Sequence, residues 1–130
     1  MTILIVEDNA TNALILKRLA GKVTDEDIII EADGARALSL CHNTFFSMLI
    51  VDYMVPGMTG LQFVKAIRML RRYDEVPVIM ITADQDPKLR ETAVAMGVTG
   101  FLTKPVDAVT FRDLLAAHVG YAPATLAAHR

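Results

Sequence analysis

Five short apolar runs alternate along this chain with stretches whose apolar residues recur every three or four positions. Three runs are continuous and rich in β-branched residues (3–6, 48–51 and 78–81), and shorter runs cover 28–30 and 100–103. Continuous runs of this kind are typical of strands in a parallel sheet, because helices cover both faces of such a sheet. They predict five strands, and we expect the second strand at the edge of the sheet.

The stretches between the runs predict five helices, because their apolar residues fall on one side at helical spacing. The expected helices cover 11–22, 34–42, 61–70, 87–96 and 111–119. Between the third strand and the third helix, a proline and two glycines favour a loop and are expected to exclude further strand. The alternation of strands and helices predicts an open α/β sheet with right-handed crossovers.

Size, composition and charge narrow the classes of function. A chain of 130 residues with 53% hydrophobic residues forms one domain with a sizeable core. The formal net charge of −2 argues against a nucleic-acid-binding surface. No apolar run reaches the roughly 20 residues that span a bilayer, and the strand-like start at Met1 lacks the features of a signal peptide. We therefore expect a cytoplasmic protein without a membrane segment.

Chemically reactive residues stand where the predicted strands end. Glu7 and Asp8 follow the first strand, Asp52 ends the third, Thr82 ends the fourth, and Lys104 follows the fifth. Each residue alone has an ordinary structural interpretation as a cap, a turn residue or a surface charge. In parallel sheets, however, ligands bind at the carboxyl edge of the strands. We therefore expect three carboxylates, one hydroxyl and one ammonium at a single edge.

This combination favours phosphoryl transfer to a carboxylate. Asp52 can attack a phosphoryl group and form an acyl phosphate, and such an attack needs a divalent cation and a fixed positive side chain. Magnesium prefers oxygen ligands: Asp8 and Asp52 can bind it directly, Glu7 can bind it through water, and a loop carbonyl after Asp52 can add another ligand. Lys104 can pair with one phosphoryl oxygen, and the hydroxyl of Thr82 can donate to another.

From residue 2 to about 119, the chain resembles the receiver domain of bacterial two-component response regulators, and within that family the chemotaxis regulators. The resemblance rests on the motifs Val6–Asn9, Asp52–Gly60, Ile81–Ala83 and Leu102–Pro105. It implies a flavodoxin-like (βα)5 three-layer sandwich, with a parallel five-stranded sheet in the order 2-1-3-4-5. It also implies that Asp52 is phosphorylated by a histidine kinase or a phosphotransfer protein.

The resemblance further assigns a metal site and a switch. It implies Mg²⁺ as cofactor, held by Glu7, Asp8, Asp52 and the backbone carbonyl of Met54. Thr82 and the aromatic residue at 101, here Phe101, would report phosphorylation to the face made by helix four, strand five and helix five. That face is the expected docking surface for a partner, an attached output domain or a second copy of the chain.

The peptide bond between Lys104 and Pro105 is expected to be cis. The family resemblance suggests it, and the turn after strand five has to direct Lys104 back toward the site. Cis bonds are largely confined to X-Pro and usually mark tight turns.

An aspartyl-nucleophile phosphatase of the haloacid-dehalogenase type is the main alternative. Such enzymes usually need a second aspartate two positions after the nucleophile, where this chain has Met54, which cannot transfer a proton. Nucleotide-binding sites are disfavoured, because the first strand leads into Glu7 and Asp8 and no glycine-rich phosphate loop follows it.

The domain organisation leaves one question open. We expect a receiver domain over residues 1–120 and a tail or the start of a linker over 121–130. The chain is then either a stand-alone receiver or the input domain of a longer regulator. The segment from Phe101 to Asp107, followed by Phe111 and Arg112, resembles receivers joined to cyclic-di-nucleotide phosphodiesterase domains.

Overall fold

Strands and helices alternate throughout the computed structural model, which describes residues 1–120. The five strands of the main sheet are β1 (Thr2–Val6), β2 (Asp27–Glu31), β3 (Met48–Asp52), β4 (Val78–Thr82) and β5 (Gly100–Thr103). The five helices are α1 (Ala10–Gly21), α2 (Gly34–Asn43), α3 (Gly60–Ile67), α4 (Pro87–Ala95) and α5 (Ala108–His118). Every predicted element is therefore present, and the third helix ends three residues before Leu70, the last residue of its apolar stripe.

All five strands run parallel, in the order β2-β1-β3-β4-β5. This order confirms the predicted flavodoxin-like α/β fold. Strand β2 lies at the edge, where β1 is its one partner within residues 1–120, and Ile29 and Ile30 are more than a third exposed. The sheet order brings the carboxyl ends of β1, β3, β4 and β5 side by side, which is the arrangement that the site requires.

Successive residues of each central strand enter different cores on the two faces of the sheet. On β3, Leu49 and Val51 join the core that contains Phe63 of α3, whereas Ile50 joins the core that contains Phe111 of α5. This alternation is the period of two that side chains follow along a strand. Both faces of β3 are consequently buried, which explains why its sequence is a continuous apolar run.

A short hairpin, with two strands of two residues each, lies between β3 and α3, where the sequence predicts a loop without strand. Met54–Val55 pairs antiparallel with Met58–Thr59. That prediction was wrong because Pro56 and Gly57 form the hairpin turn itself: proline has a fixed φ suited to a turn, and Gly57 adopts a φ of 91° that favours glycine. Residues 54–59 are called the site hairpin below.

Within residues 1–120, no helix is both long enough and apolar enough to cross a membrane. The predicted tail or linker at 121–130 lies outside the described residues, and the boundary at 120 remains a prediction.

Candidate functional site

The carboxyl edge of the sheet gathers all five candidate side chains. Glu7, Asp52 and Thr82 are buried, with 2%, 5% and 2% of their surface exposed, respectively. Asp8 is exposed, and the side chain of Lys104 is 29% exposed. The side chains that could react with or hold a ligand therefore lie at the bottom of the site, and the rim is open to solvent at Asp8.

Lys104 forms the central ion pair of the site. Its Nζ donates to Oδ2 of Asp52 and lies 3.6 Å from Oε2 of Glu7. The backbone N–H of Lys104 donates to the carbonyl of Thr82 at 2.8 Å, which ties the end of β5 to the end of β4. The bond between Lys104 and Pro105 is cis, in agreement with the expectation from the sequence.

The acidic residues provide a donor set that fits a hard cation. Glu7, Asp8 and Asp52 each offer a carboxylate oxygen, and these atoms lie within 4.8 Å of one another. Among the described residues, Oε2 of Glu7 is buried and has no hydrogen-bond partner. A buried acceptor without a partner is costly, and an oxygen-liganded Mg²⁺ would satisfy it.

Burial and neighbouring charge shift two pKa values in this cluster. Desolvation, with smaller contributions from Asp52, raises the pKa of Glu7 to about 7. For Lys104, burial by itself lowers the pKa, but the hydrogen bond and the charge of Asp52, together with Glu7, outweigh it, so that the pKa is raised. Lys104 is therefore a cation at neutral pH, whereas a pKa of about 7 leaves Glu7 divided between its protonated and ionised forms.

Two backbone N–H groups hold the loop after Asp52 in place. The N–H of Met54 donates to Oδ1 of Asp52 at 3.2 Å, and the N–H of Gly60 donates to the carbonyl of Tyr53 at 2.6 Å. A Cβ at Gly60 would lie 2.9 Å from Cα of Tyr53 and 3.0 Å from the carbonyl oxygen of Asp52. Gly60 thus allows helix α3 to begin directly against the backbone of Asp52 and Tyr53, a contact that the amino-acid sequence does not indicate.

Gly60→Ala is expected to lower the free energy of unfolding by about 1–3 kcal/mol, because the new methyl group would press against backbone that cannot move aside. Gly21→Ala is the matched control: it lies at the end of α1, nothing lies within 4 Å of its Cβ position, and alanine should stabilise the helix by roughly 0.5–1 kcal/mol. Urea denaturation followed by circular dichroism measures both. Equal stability of the two variants would contradict this account of Gly60.

Thr82 and Phe101, the two residues that are predicted to act as the switch, lie on the neighbouring strands β4 and β5. The hydroxyl oxygen of Thr82 accepts from the N–H of Asp84 at 3.0 Å. Phe101 is half-buried, and the guanidinium of Arg90 lies 5.9 Å from the centre of its ring. The ring lines a groove of about 620 Å³ between the start of α4, strand β5 and the start of α5.

A second cavity opens directly onto the site. It has a volume of about 510 Å³, and its lining includes the charged residues Glu7 and Lys104 and the apolar residues Ile15, Leu16 and Val106. Glu7 and Lys104 of the site therefore border apolar surface from α1 and from the loop after β5.

Residues 3–116 match the response regulator receiver domain family, and the chain belongs to that family. As a receiver domain, it takes part in phosphorylation-dependent signalling. The chain is 34% identical over 113 residues to the chemotaxis protein CheY of Pseudomonas aeruginosa, which covers 87% of this chain and 91% of that protein. It is also 33% identical over 107 residues to the cyclic di-GMP phosphodiesterase response regulator RpfG of Xanthomonas campestris, covering 82% of this chain and 28% of RpfG.

Solved structures agree with this assignment. The chemotaxis response regulator CheY4 of Vibrio cholerae superposes with a TM-score of 0.83 at 30% identity, over 91% of this chain and 98% of that one. The receiver domain of the sensor histidine kinase PA1611 of Pseudomonas aeruginosa, solved with a magnesium ion in its active site cleft, gives a TM-score of 0.80 over 92% and 98% of the two chains. At 24% identity, that second likeness shows the fold alone. The phosphatase alternative receives no support from the family assignment.

Proposed function

We propose that this chain accepts a phosphoryl group on Asp52 from a histidine kinase or a phosphotransfer protein, in a reaction that depends on Mg²⁺. The observation that carries the proposal is the buried Asp52 carboxylate, ion-paired with Lys104 and next to the Glu7 oxygen that has no hydrogen-bond partner among the described residues. Receiver domains as a class take their phosphoryl group from such donors.

Each residue of the site has a defined task in this reaction. A carboxylate oxygen of Asp52 forms a bond to phosphorus while the bond between phosphorus and the donor nitrogen breaks, and the electron pair of that bond leaves with the donor imidazole. Lys104, already beside Asp52, pairs with a phosphoryl oxygen. Glu7, Asp8, Asp52 and the carbonyl of Met54 would hold Mg²⁺. When bound, this ion supplies the positive charge that offsets repulsion between the carboxylates and the phosphoryl group.

Incubation with acetyl phosphate and Mg²⁺ tests this function without a cognate kinase. Intact-protein mass spectrometry is expected to show one added phosphoryl group per chain, and addition of EDTA beforehand should prevent it. Absence of any modification at saturating acetyl phosphate would overturn the proposal.

Phosphorylation is further proposed to change the face made by α4, β5 and α5. A phosphoryl group on Asp52 would offer acceptor oxygens to the hydroxyl of Thr82, which in this structure accepts a hydrogen bond from the backbone of Asp84. Movement of Thr82 toward the site would leave space for the ring of Phe101. The groove beside Phe101 supports a change in shape at this face, where a partner, an output domain or a second copy would bind.

Thr82→Ala is expected to separate phosphorylation from this response, because alanine has no hydroxyl to donate to the phosphoryl group. Beryllofluoride with Mg²⁺, a stable substitute for the phosphoryl group, should still bind the variant. Most of the NMR shift changes in β5 and α5, measured by ¹⁵N–¹H correlation spectra, should nevertheless be lost. Thr82→Ser keeps the hydroxyl and should retain them. Full shift changes in Thr82→Ala would exclude Thr82 as the link.

A further inference from the structure

The turn of the site hairpin rests on the first residue of α2. The N–H of Gly34 donates to the carbonyl of Pro56 at 2.9 Å. Gly34 is buried, and a Cβ placed on it would lie 2.6 Å from Cγ of Met58 and 3.3 Å from the carbonyl oxygen of Pro56. Because the contact is with Cγ, rotation of the side chain beyond Cγ does not relieve the crowding, and either χ1 of Met58 or the hairpin backbone has to change. The hairpin and the helix can approach this closely only because residue 34 has no side chain.

The same turn is fitted to the residue before Gly34. Asp33 caps α2, since its Oδ2 accepts from the N–H of Arg36 at 2.9 Å. Its Oδ1 would lie 3.2 Å from a Cβ at Gly57, the residue with a φ of 91° in the hairpin turn. Two glycines, one on each segment, therefore allow the start of α2 and the hairpin turn to pack against each other.

The other end of the hairpin belongs to the site. Met54 pairs with Thr59 across the hairpin, and its N–H donates to Oδ1 of Asp52 at 3.2 Å. Thr59 also caps α3, because its hydroxyl oxygen accepts from the N–H of Gln62 at 3.2 Å. The two-residue strands are short and bonded to each other, so a displacement of the turn at Pro56 and Gly57 would be transmitted to Met54.

We propose that Gly34 is a positioning residue for the magnesium site: it seats the hairpin turn on α2 and thereby holds the carbonyl of Met54 beside Asp52. This inference rests on the proposed function, in which that carbonyl is a magnesium ligand. Gly34 has no side chain to offer as a ligand, and its contacts with Pro56 and Met58 connect it to the site through the hairpin. Groups that orient metal ligands from outside the ligand set commonly change metal affinity when they are altered.

Isothermal titration calorimetry with Mg²⁺ tests the inference on the full chain. Gly34→Ala is expected to weaken Mg²⁺ binding about tenfold. In the double variant Gly34→Ala, Met58→Ala, the crowded side chain is removed, and affinity should return to within about twofold of that of Met58→Ala alone. Gly21→Ala, in open space at the end of α1, is the control and should bind Mg²⁺ like the wild type.

The outcomes separate this inference from the function on which it rests. Wild-type affinity in Gly34→Ala, or weakened affinity that the double variant does not restore, would overturn the positioning role and leave the proposed function intact. Failure of the wild type to bind Mg²⁺ would overturn both. Purely structural damage would lower the melting temperature of Gly34→Ala without changing the Mg²⁺ affinity of the folded protein.

A measurement on the wild type covers the case in which Gly34→Ala does not fold. When Mg²⁺ is titrated into the ¹⁵N-labelled protein, the amide signal of Gly34 should shift with the same midpoint as that of Met54, because it is bonded to the hairpin turn. A Gly34 signal that stays in place at saturating Mg²⁺ would overturn the inference.

Discussion

Asp52→Asn is expected to abolish phosphoryl transfer to this domain. The amide has nearly the same shape as the carboxylate, and its oxygen can still accept from Lys104, so the fold should persist. It carries no negative charge, however, and is not a nucleophile that can form an acyl phosphate. With acetyl phosphate and Mg²⁺, the wild type should gain one phosphoryl group and the variant none, as measured by intact-protein mass spectrometry.

Asp113→Asn is the matched control for this experiment. Asp113 is an exposed aspartate on α5 whose carboxylate pairs with neighbouring Arg112 at 3.5 Å, and its replacement makes the same chemical change away from the site. It should be phosphorylated like the wild type. Equal modification of Asp52→Asn and the wild type would show that another residue accepts the phosphoryl group.

Opposite changes in stability are expected when a base or an acid is removed from the site in the metal-free protein. Lys104→Met removes the cation beside Asp52 and Glu7 and should lower the free energy of unfolding by about 2 kcal/mol. This estimate is below the range for fully buried pairs because water reaches part of the Lys104 side chain. Asp8→Ala relieves repulsion at an exposed position and should raise stability by about 1 kcal/mol, or roughly 4 °C in Tm.

Magnesium should reduce or reverse the stability advantage of Asp8→Ala over the wild type. A ligand that binds only the folded state stabilises it, so Mg²⁺ should raise the Tm of the wild type. It should raise the Tm of Asp8→Ala much less, because this variant lacks a proposed ligand. Thermal melts followed by circular dichroism, with and without Mg²⁺, check both statements. A lower metal-free Tm for Asp8→Ala, or no response of the wild type to Mg²⁺, would contradict them.

The edge at which the site forms could be predicted because each reactive residue follows its own apolar run. Sequence could not decide which of the two adjacent acids, Glu7 or Asp8, is buried. The structure decides it: the N–H of Glu7 donates to the carbonyl of Glu31 at 3.0 Å, which extends the pairing of β1 by one residue and turns Glu7 into the core. Asp8 then faces solvent.

The parts that sequence did not predict depend on approaches between segments that are distant in the chain. Proline and glycine in the loop after Asp52 predict a break in the strand, although the same two residues are suited to the turn of a hairpin. Gly34 packs tightly against the hairpin, and Gly60 against Tyr53, because glycine has no side chain. An isolated glycine in a sequence does not indicate which segment lies next to it. The reason for glycine at positions 34 and 60 becomes clear only from the packing of α2 and α3 against the loop.

The position of β2 at the edge of the sheet also bears on solubility. Its outer side offers backbone hydrogen-bonding groups beside two partly exposed isoleucines, Ile29 and Ile30, a combination that invites pairing with a strand of another molecule. Asp27 and Glu31 stand at the two ends of this strand. A second copy that aligned its own β2 in parallel and in register would bring like carboxylates together, so these two acids oppose aggregation at this edge.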